Sequence, residues 1–451
     1  MKSSSFPPST CSSTSSHPRI CEASITAHRT CRISARHWGR CFVGWHFRCI
    51  SHRSCSMCCA CAWCWPQGST TWVAKPRTVK MIHFNTAGAG VMSAQALEVM
   101  QAFLQDEREH GAYEAELAGS AVLEHEIYAN VARLIGALPA DIALFDSATK
   151  AWVTALDALD WNGGDRVLVT PYEYAGNLIA LDQLRQRHGV VVEVIPLLEN
   201  GDLDLTWLAG HLREDVKLVS IVHVPSCCGI VNDVQSIGRL LQAHPCVFFL
   251  DACQSVGMLP IDVKSIGCDV LTAAGRKFLC GPRGTGFAYL SKAFRAVAAP
   301  RFTDLHRATF TVNDGVRLDQ HDARCFEYAE RNSAALMGLN IAVQDRLRGG
   351  YVDDCAAYRF LVEELKGNAR LQLILPGARQ RAIVSFFHDA LPAPETVARL
   401  RADGINCWAG HASHTPYFMK GRGERFVRVS LGHGSTVSQA EQFMRLLRNM
   451  H

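Results

Sequence analysis

The sequence predicts an α/β protein: a large domain with a mostly parallel sheet between helices, then a smaller C-terminal α+β domain. Three observations carry this. Short apolar runs rich in β-branched residues recur through the middle of the chain. Helical stretches separate them, as strand–helix–strand units require. After about residue 330 the alternation stops, and two helical stretches, an apolar run and a last helix follow.

The elements follow in order. "RVLVT" (166–170), "VVVEVIPL" (190–197), "KLVSIVHV" (217–224) and "CVFFLD" (246–251) read as strands buried on both faces, because polar alternation is missing. Residues 175–187 and 234–243 have helical texture. "NSAALMGLNIAVQDRL" and "YRFLVEELKG" are helical, "RAIVSFFH" is a strand, and a helix closes the chain near 437–449. The expected division is 94–330 for the large domain, with 81–93 joining 331–451 in the small one.

Residues 1–80 differ in kind. They hold eleven Lys/Arg against one acid, Glu22, and ten of the nineteen cysteines. "SMCCACAWCWPQ" is too tightly spaced for a tetrahedral zinc site, and no second pair follows at a finger's distance. The Arg- and Ser-rich composition matches a transit peptide, yet no amphipathic stripe accompanies it, and five of the nine tryptophans lie here. The segment is expected to be disordered and without function, a translated upstream stretch, with Met81 as the natural start. A targeting peptide is the second reading and metal binding the third.

The rest of the chain carries 35 Lys/Arg against 41 acids, which gives no support for nucleic-acid binding. No apolar run reaches the ~20 residues a bilayer span needs. The remaining nine cysteines are scattered without paired spacing and read as buried thiols of a cytoplasmic protein.

One stretch concentrates chemistry. "DACQSVGMLPIDVKSIGCDVLTAAGRKFLCGPRGTGFAYL" runs from Asp251 to Leu290. Asp251 ends an apolar strand, which places it on the rim where open α/β sheets bind ligands. Alone it reads as a helix cap or turn residue, and Lys277 alone reads as a surface lysine. Together with Gln254 and the glycine turn after the lysine they are more specific. The glycine spacing fits neither a dinucleotide fingerprint nor a P-loop.

This pattern resembles the class V aminotransferase group of pyridoxal-phosphate enzymes of fold type I, close to its epimerase-like and C–S lyase branch and related to cysteine desulfurases. The resemblance covers nearly all of 81–451. It implies pyridoxal 5'-phosphate as cofactor and Lys277 as the residue that holds it as a Schiff base. A lysine attacks only as the neutral amine, which shielding and nearby cationic charge favour, and Arg276 stands beside it. Asp251 would pair with the pyridine nitrogen, and Gln254 and Ser226 would face the phenolic oxygen. Ser147, Ala148 and Thr149 in "FDSATKAW" would cradle the phosphate with Arg276, although an ordinary helix cap explains the same residues. Tyr174 in "PYEYAGN" would stack on the ring; otherwise it is a core tyrosine. Arg428 in "FVRVSLGHGST" would clamp the substrate carboxylate; otherwise it is a surface arginine of an edge strand.

The departures also inform. Ala274 replaces a phosphate-touching Ser or Thr, and Glu330 replaces a threonine that reaches the neighbouring subunit. In "CWAGHASHTPYF" Ser413 takes the place of the desulfurase's persulfide cysteine, and Cys407 reads as strand. The resemblance therefore implies a homodimeric enzyme acting at Cα of a small amino acid. C–S lyase-type β-elimination of a cysteine derivative comes first and an aminotransferase or epimerase second. A desulfurase or a catalytically silent binding protein comes after those.

Overall fold

The computed structural model describes residues 81–352, 356–374 and 379–450. They fall within one compact unit, Arg77–His451. The expectations for residues 1–80, the cysteine cluster included, lie outside the described residues.

Seven strands form the large sheet: β1 (Ile142–Phe145), β2 (Arg166–Val169), β3 (Val191–Val194), β4 (Val216–Val222), β5 (Val247–Asp251), β6 (Val270–Ala274) and β7 (Gly286–Leu290). Their order is β1-β7-β6-β5-β4-β2-β3. Strands β2 to β6 are mutually parallel, and β7 runs against both its neighbours. The apolar runs are two-sided because both faces are covered. Phe248 packs into one core and Phe249 into the other, as alternation along a strand demands. Trp152 meets Phe249 edge-on at 5.8 Å between ring centroids.

One expectation needs correction. The run 190–197 is not a strand buried on both faces. Only Val191–Val194 is strand, it lies at the sheet edge, and Val191 is exposed. Glu193 within it holds Arg166 of β2 through a two-pronged ion pair. Pairing on one side only leaves the outer face open to water.

The smaller C-terminal domain is built on an antiparallel sheet of β8 (Leu371–Leu373), β9 (Ile383–His388), β10 (Trp408–His411) and β11 (Arg425–Ser430), in the order β8-β9-β11-β10. Its core includes Leu361, Phe386, Val427 and Phe443, together with Ile82 and Phe84 from the start of the described chain. Ile82–His83 pairs in parallel with Ile405–Asn406, which delivers those two side chains. Among the described residues no helix is long and apolar enough to cross a membrane.

Glu327 is buried between Tyr128, whose hydroxyl donates to it at 2.8 Å, and the Leu144 N–H at 2.6 Å. Burial raises its pKa to about 8, against the lowering pull of those bonds and of Arg331. The folded state therefore keeps a proton that the unfolded chain has released, so this stability is lost as pH rises toward 8. His223 and His306, both lowered to about 4, do not titrate in the upper half of that range. Between pH 6.5 and 8 the group is expected to cost roughly 1.4 kcal/mol per pH unit. Glu173, also raised to about 8, adds a slope of the same sign, so melting of cofactor-free protein should show the sum and Glu327→Gln should roughly halve it. An unchanged slope would place the titration elsewhere.

Candidate active site

The carboxyl ends of β4, β5 and β6 open into a cavity of about 560 Å³, closed on its far side by residues of the small domain. Asp251 ends β5 and is 7% exposed. The Cys253 N–H donates to its Oδ1 at 2.9 Å, and the Asn177 amide reaches its Oδ2 at 3.4 Å. Gln254, one turn further on, donates from Nε2 to the Ala87 carbonyl at 3.2 Å, and its buried Oε1 has no partner. Both residues line the cavity.

Lys277 follows β6 in the turn "GRKF" and also lines the cavity. The turn is clasped from outside by residues 88–90. Arg276 donates through Nη1 to the Gly88 carbonyl, and the Gly90 N–H donates to the Arg276 carbonyl at 2.7 Å. A Cβ at Gly90 would lie 2.5 Å from the Lys277 carbonyl oxygen, so only glycine permits this approach. Arg276 and Arg283 both face the cavity, and burial followed by their mutual repulsion lowers the pKa of Arg276.

At the same end Ser147, Ala148 and Thr149 open the helix Ala148–Asp157. The Ser147 hydroxyl accepts from Lys150 N at 3.1 Å, so it is a helix cap as well as a cavity residue. The first-turn N–H groups lack helical acceptors by geometry and suit an anion. Gly286 of β7 lets this helix start come close, because a Cβ there would sit 2.7 Å from Ala148 N.

Tyr174 is the N-cap residue of the helix Ala175–His188. At 45% exposed it is not a core tyrosine, and it lines the cavity. Ser226 and Ala274 line it too. Arg428 lies on β11, which has a partner on each side, so the edge-strand reading is corrected. Its Nη2 donates to Asn85 Oδ1 at 3.1 Å and its Nη1 to the Ser226 carbonyl at 3.5 Å, while the buried Nε is unpartnered. Burial pulls its pKa down to about 10, which leaves it cationic at neutral pH.

Three expected positions stand apart from the cavity lining. Cys407 is fully buried in the small-domain core, where burial raises its thiol to about 12. Ser413 is exposed in a short turn whose neighbours His414 and Thr415 do line the cavity. Glu330 is exposed, and the buried acid of that segment is Glu327. Sequence reasoning missed Asn85, Asn177 and Cys253. Cys253 had a signal, lying between two named residues in "DACQ". Asn177 had a weaker one, three residues after Tyr174 on the same helix face.

The family description "Aminotransferase class-V" matches residues 82–443. The chain belongs to the class-V aminotransferase family. A relative from Methanothermobacter thermautotrophicus, described as a probable cysteine desulfurase, is 30% identical over 233 residues. That alignment spans 52% of this chain and 58% of the relative. An apo cysteine desulfurase structure from Thermococcus onnurineus NA1 superposes with a TM-score of 0.74 at 23% identity, covering 81% of this chain and 94% of that one. A cystine C-S lyase bound to cysteine persulfide gives 0.74 at 22% identity, covering 82% and 98%. These two likenesses show the fold.

Class-V membership implies pyridoxal phosphate, and the residues of this class-V chain fit it. The cavity pairs an acid, Asp251, with a lysine, Lys277, and sets two arginines beside a helix N-terminus. Gln254 Oε1 and Arg428 Nε are buried polar atoms without partners. An unpaired buried polar atom is costly, and a polar ligand removes that cost.

Proposed function

We propose that this class-V enzyme acts at Cα of a small amino acid and cleaves the C–S bond of a cysteine derivative by β-elimination. The carrying observation is a cavity that gathers Asp251, Lys277 and Arg428 while the loop at 407–418 brings no thiol to it. The relatives described as cysteine desulfurases and the cystine C-S lyase fold-mate support a sulfur-containing substrate.

Each residue has a task in this reading. Ser147, Ala148, Thr149 and Arg276 would hold the phosphate. With pyridoxal phosphate bound, Asp251 would keep the ring nitrogen protonated, Tyr174 would cover the ring, and Gln254 and Ser226 would serve the phenolic oxygen. Bound there, pyridoxal phosphate supplies an electron sink for the pair left at Cα when a bond to it breaks. Arg428, steadied by Asn85, grips the α-carboxylate. Lys277 takes the Cα proton, and the sulfur leaves from Cβ as a thiol. Hydrolysis of the remaining unsaturated amine yields pyruvate and ammonia. Elimination needs no enzyme thiol, whereas desulfuration requires one as sulfur acceptor.

A homodimer is part of this reading, supported by the exposed apolar side chains Phe302, Leu305, Phe310 and Val312. A cytoplasmic setting is supported by the free thiols among the described residues.

Desulfuration is the second reading, favoured by the relatives' descriptions and by Cys253, which lines the cavity. Burial and the adjacent Asp251 push that thiol's pKa well up, which works against a thiolate there. The test is product analysis with L-cysteine, L-cystine and cysteine S-conjugates. Pyruvate and ammonia are expected in equal amounts, and Cys407→Ser and Cys253→Ser should each keep activity within about threefold, as substitutions outside the reacting groups do. Alanine formed in proportion to sulfur, and lost with either cysteine, would establish the desulfurase instead.

A further inference from the structure

Behind Asp251 lies a second buried acid that the proposed chemistry does not use. Glu173 is 0% exposed, at the end of the turn that follows β2. Asn177 Nδ2 donates to its Oε1 at 2.7 Å, and Ser220 of β4 bonds its Oε2 at 3.1 Å. The same Asn177 nitrogen reaches Asp251 Oδ2 at 3.4 Å. One amide therefore bridges two carboxyl groups, and its stronger bond is to the acid that does not face the cavity. Asp251 Oδ1 is fixed separately by Cys253 N. Orientation of Oδ2 thus depends on where Asn177 is held.

We infer that Glu173 is a positioning residue, which anchors Asn177 and through it sets the orientation of the Asp251 carboxylate toward the cofactor ring nitrogen. This rests on the cofactor reading given above. The chemistry explains why an acid at such a site is tolerated. Burial, then the charge of Asp251, raises the pKa of Glu173 to about 8, which favours its uncharged form at this site. One Glu173 oxygen accepts from the Ser220 hydroxyl and the other from the Asn177 amide, so both carboxyl oxygens are satisfied. A glutamine at 173 keeps the acceptor for Asn177 and meets Ser220 Oγ with its amide as donor. An alanine could make neither bond.

The experiment compares Glu173→Gln, Glu173→Ala, Asn177→Ala and the double variant Glu173→Ala/Asn177→Ala. Pyridoxal phosphate is titrated into each apo protein, following cofactor absorbance and apo melting temperature. Glu173→Gln is expected to match the wild type in cofactor affinity and band position. Glu173→Ala and Asn177→Ala should each weaken cofactor binding about tenfold and move the band alike, the size expected for coupling through one buried bond. The double variant should be no weaker than either single one. Additive losses would overturn the inference, as would a Glu173→Ala protein that binds normally. Should Glu173→Ala not fold, Glu173→Gln and Asn177→Ala still decide: a tenfold loss in the first, or none in the second, overturns it. A wild-type chain that develops no cofactor band would overturn the cofactor reading and this inference together. A normal wild-type band with unaltered variants would overturn this inference alone.

Discussion

Lys277→Ala is expected to lower turnover by roughly 10³-fold or more, the scale of losing both a nucleophile and a general base. The loss should fall on the chemical step. Lys277 sits in a turn held by the backbone of Arg276 and Gly90, and those bonds do not involve its side chain. Folding should therefore survive. The cofactor should also remain associated, because the helix start at Ser147, Arg276 and Asp251 are untouched. The check is turnover on the amino-acid panel alongside cofactor content after dialysis. A Lys277→Ala enzyme of full activity would show that another amine does the work.

Asp251→Ala should cost roughly 10²–10³-fold in turnover, comparable to removing one preorganised electrostatic partner. The size follows from placement. The carboxyl group is buried at a strand end and fixed through Cys253 N, so it is already oriented before substrate arrives. Removing it also strands the Cys253 N–H, which adds a stability loss of about 1–3 kcal/mol. Asp251→Asn separates the two effects. It keeps an acceptor for that N–H but loses the charge, so turnover should fall while the melting temperature holds. Asp251→Glu should retain more activity than Asp251→Ala. Near-wild-type turnover in all three variants would mean that Asp251 does not hold this role.

Much of this architecture was legible in the sequence because the central strands are buried on both faces. Burial on both faces removes polar alternation, and "CVFFLD" is such a run. The edge strand Val191–Val194 misled for the same reason, since its valines look like those of a central strand until pairing is known. Asp251, Gln254, Lys277 and Arg428 were legible because resemblance fixes their order along the chain, and the cavity brings all four together. Asn85, Asn177 and Glu173 were not. Their importance comes from bonds to residues far off in sequence, Asn85 with Arg428 and Asn177 with Asp251. Locally Asn85 does not differ from the many asparagines that cap helices and turns, and Asn177 offers only its spacing from Tyr174.

The pairing of Ile82–His83 with Ile405–Asn406 has a consequence for how the protein is made. Ala87 N donates to Ser430 Oγ, and Asn85 meets Arg428, across 343 positions of chain in each case. Contacts of that separation carry the largest loop-closure entropy and form late. During synthesis the large sheet can be assembled, with Gly88 and Gly90 already on the Arg276 turn, while residues 82–87 still wait for partners that have not left the ribosome. The cavity that Lys277 lines would then lack Arg428 altogether. The nascent chain is thus a folded scaffold before its cavity is complete, and Lys277 gains its full surroundings only when β11 closes on residues 84–87.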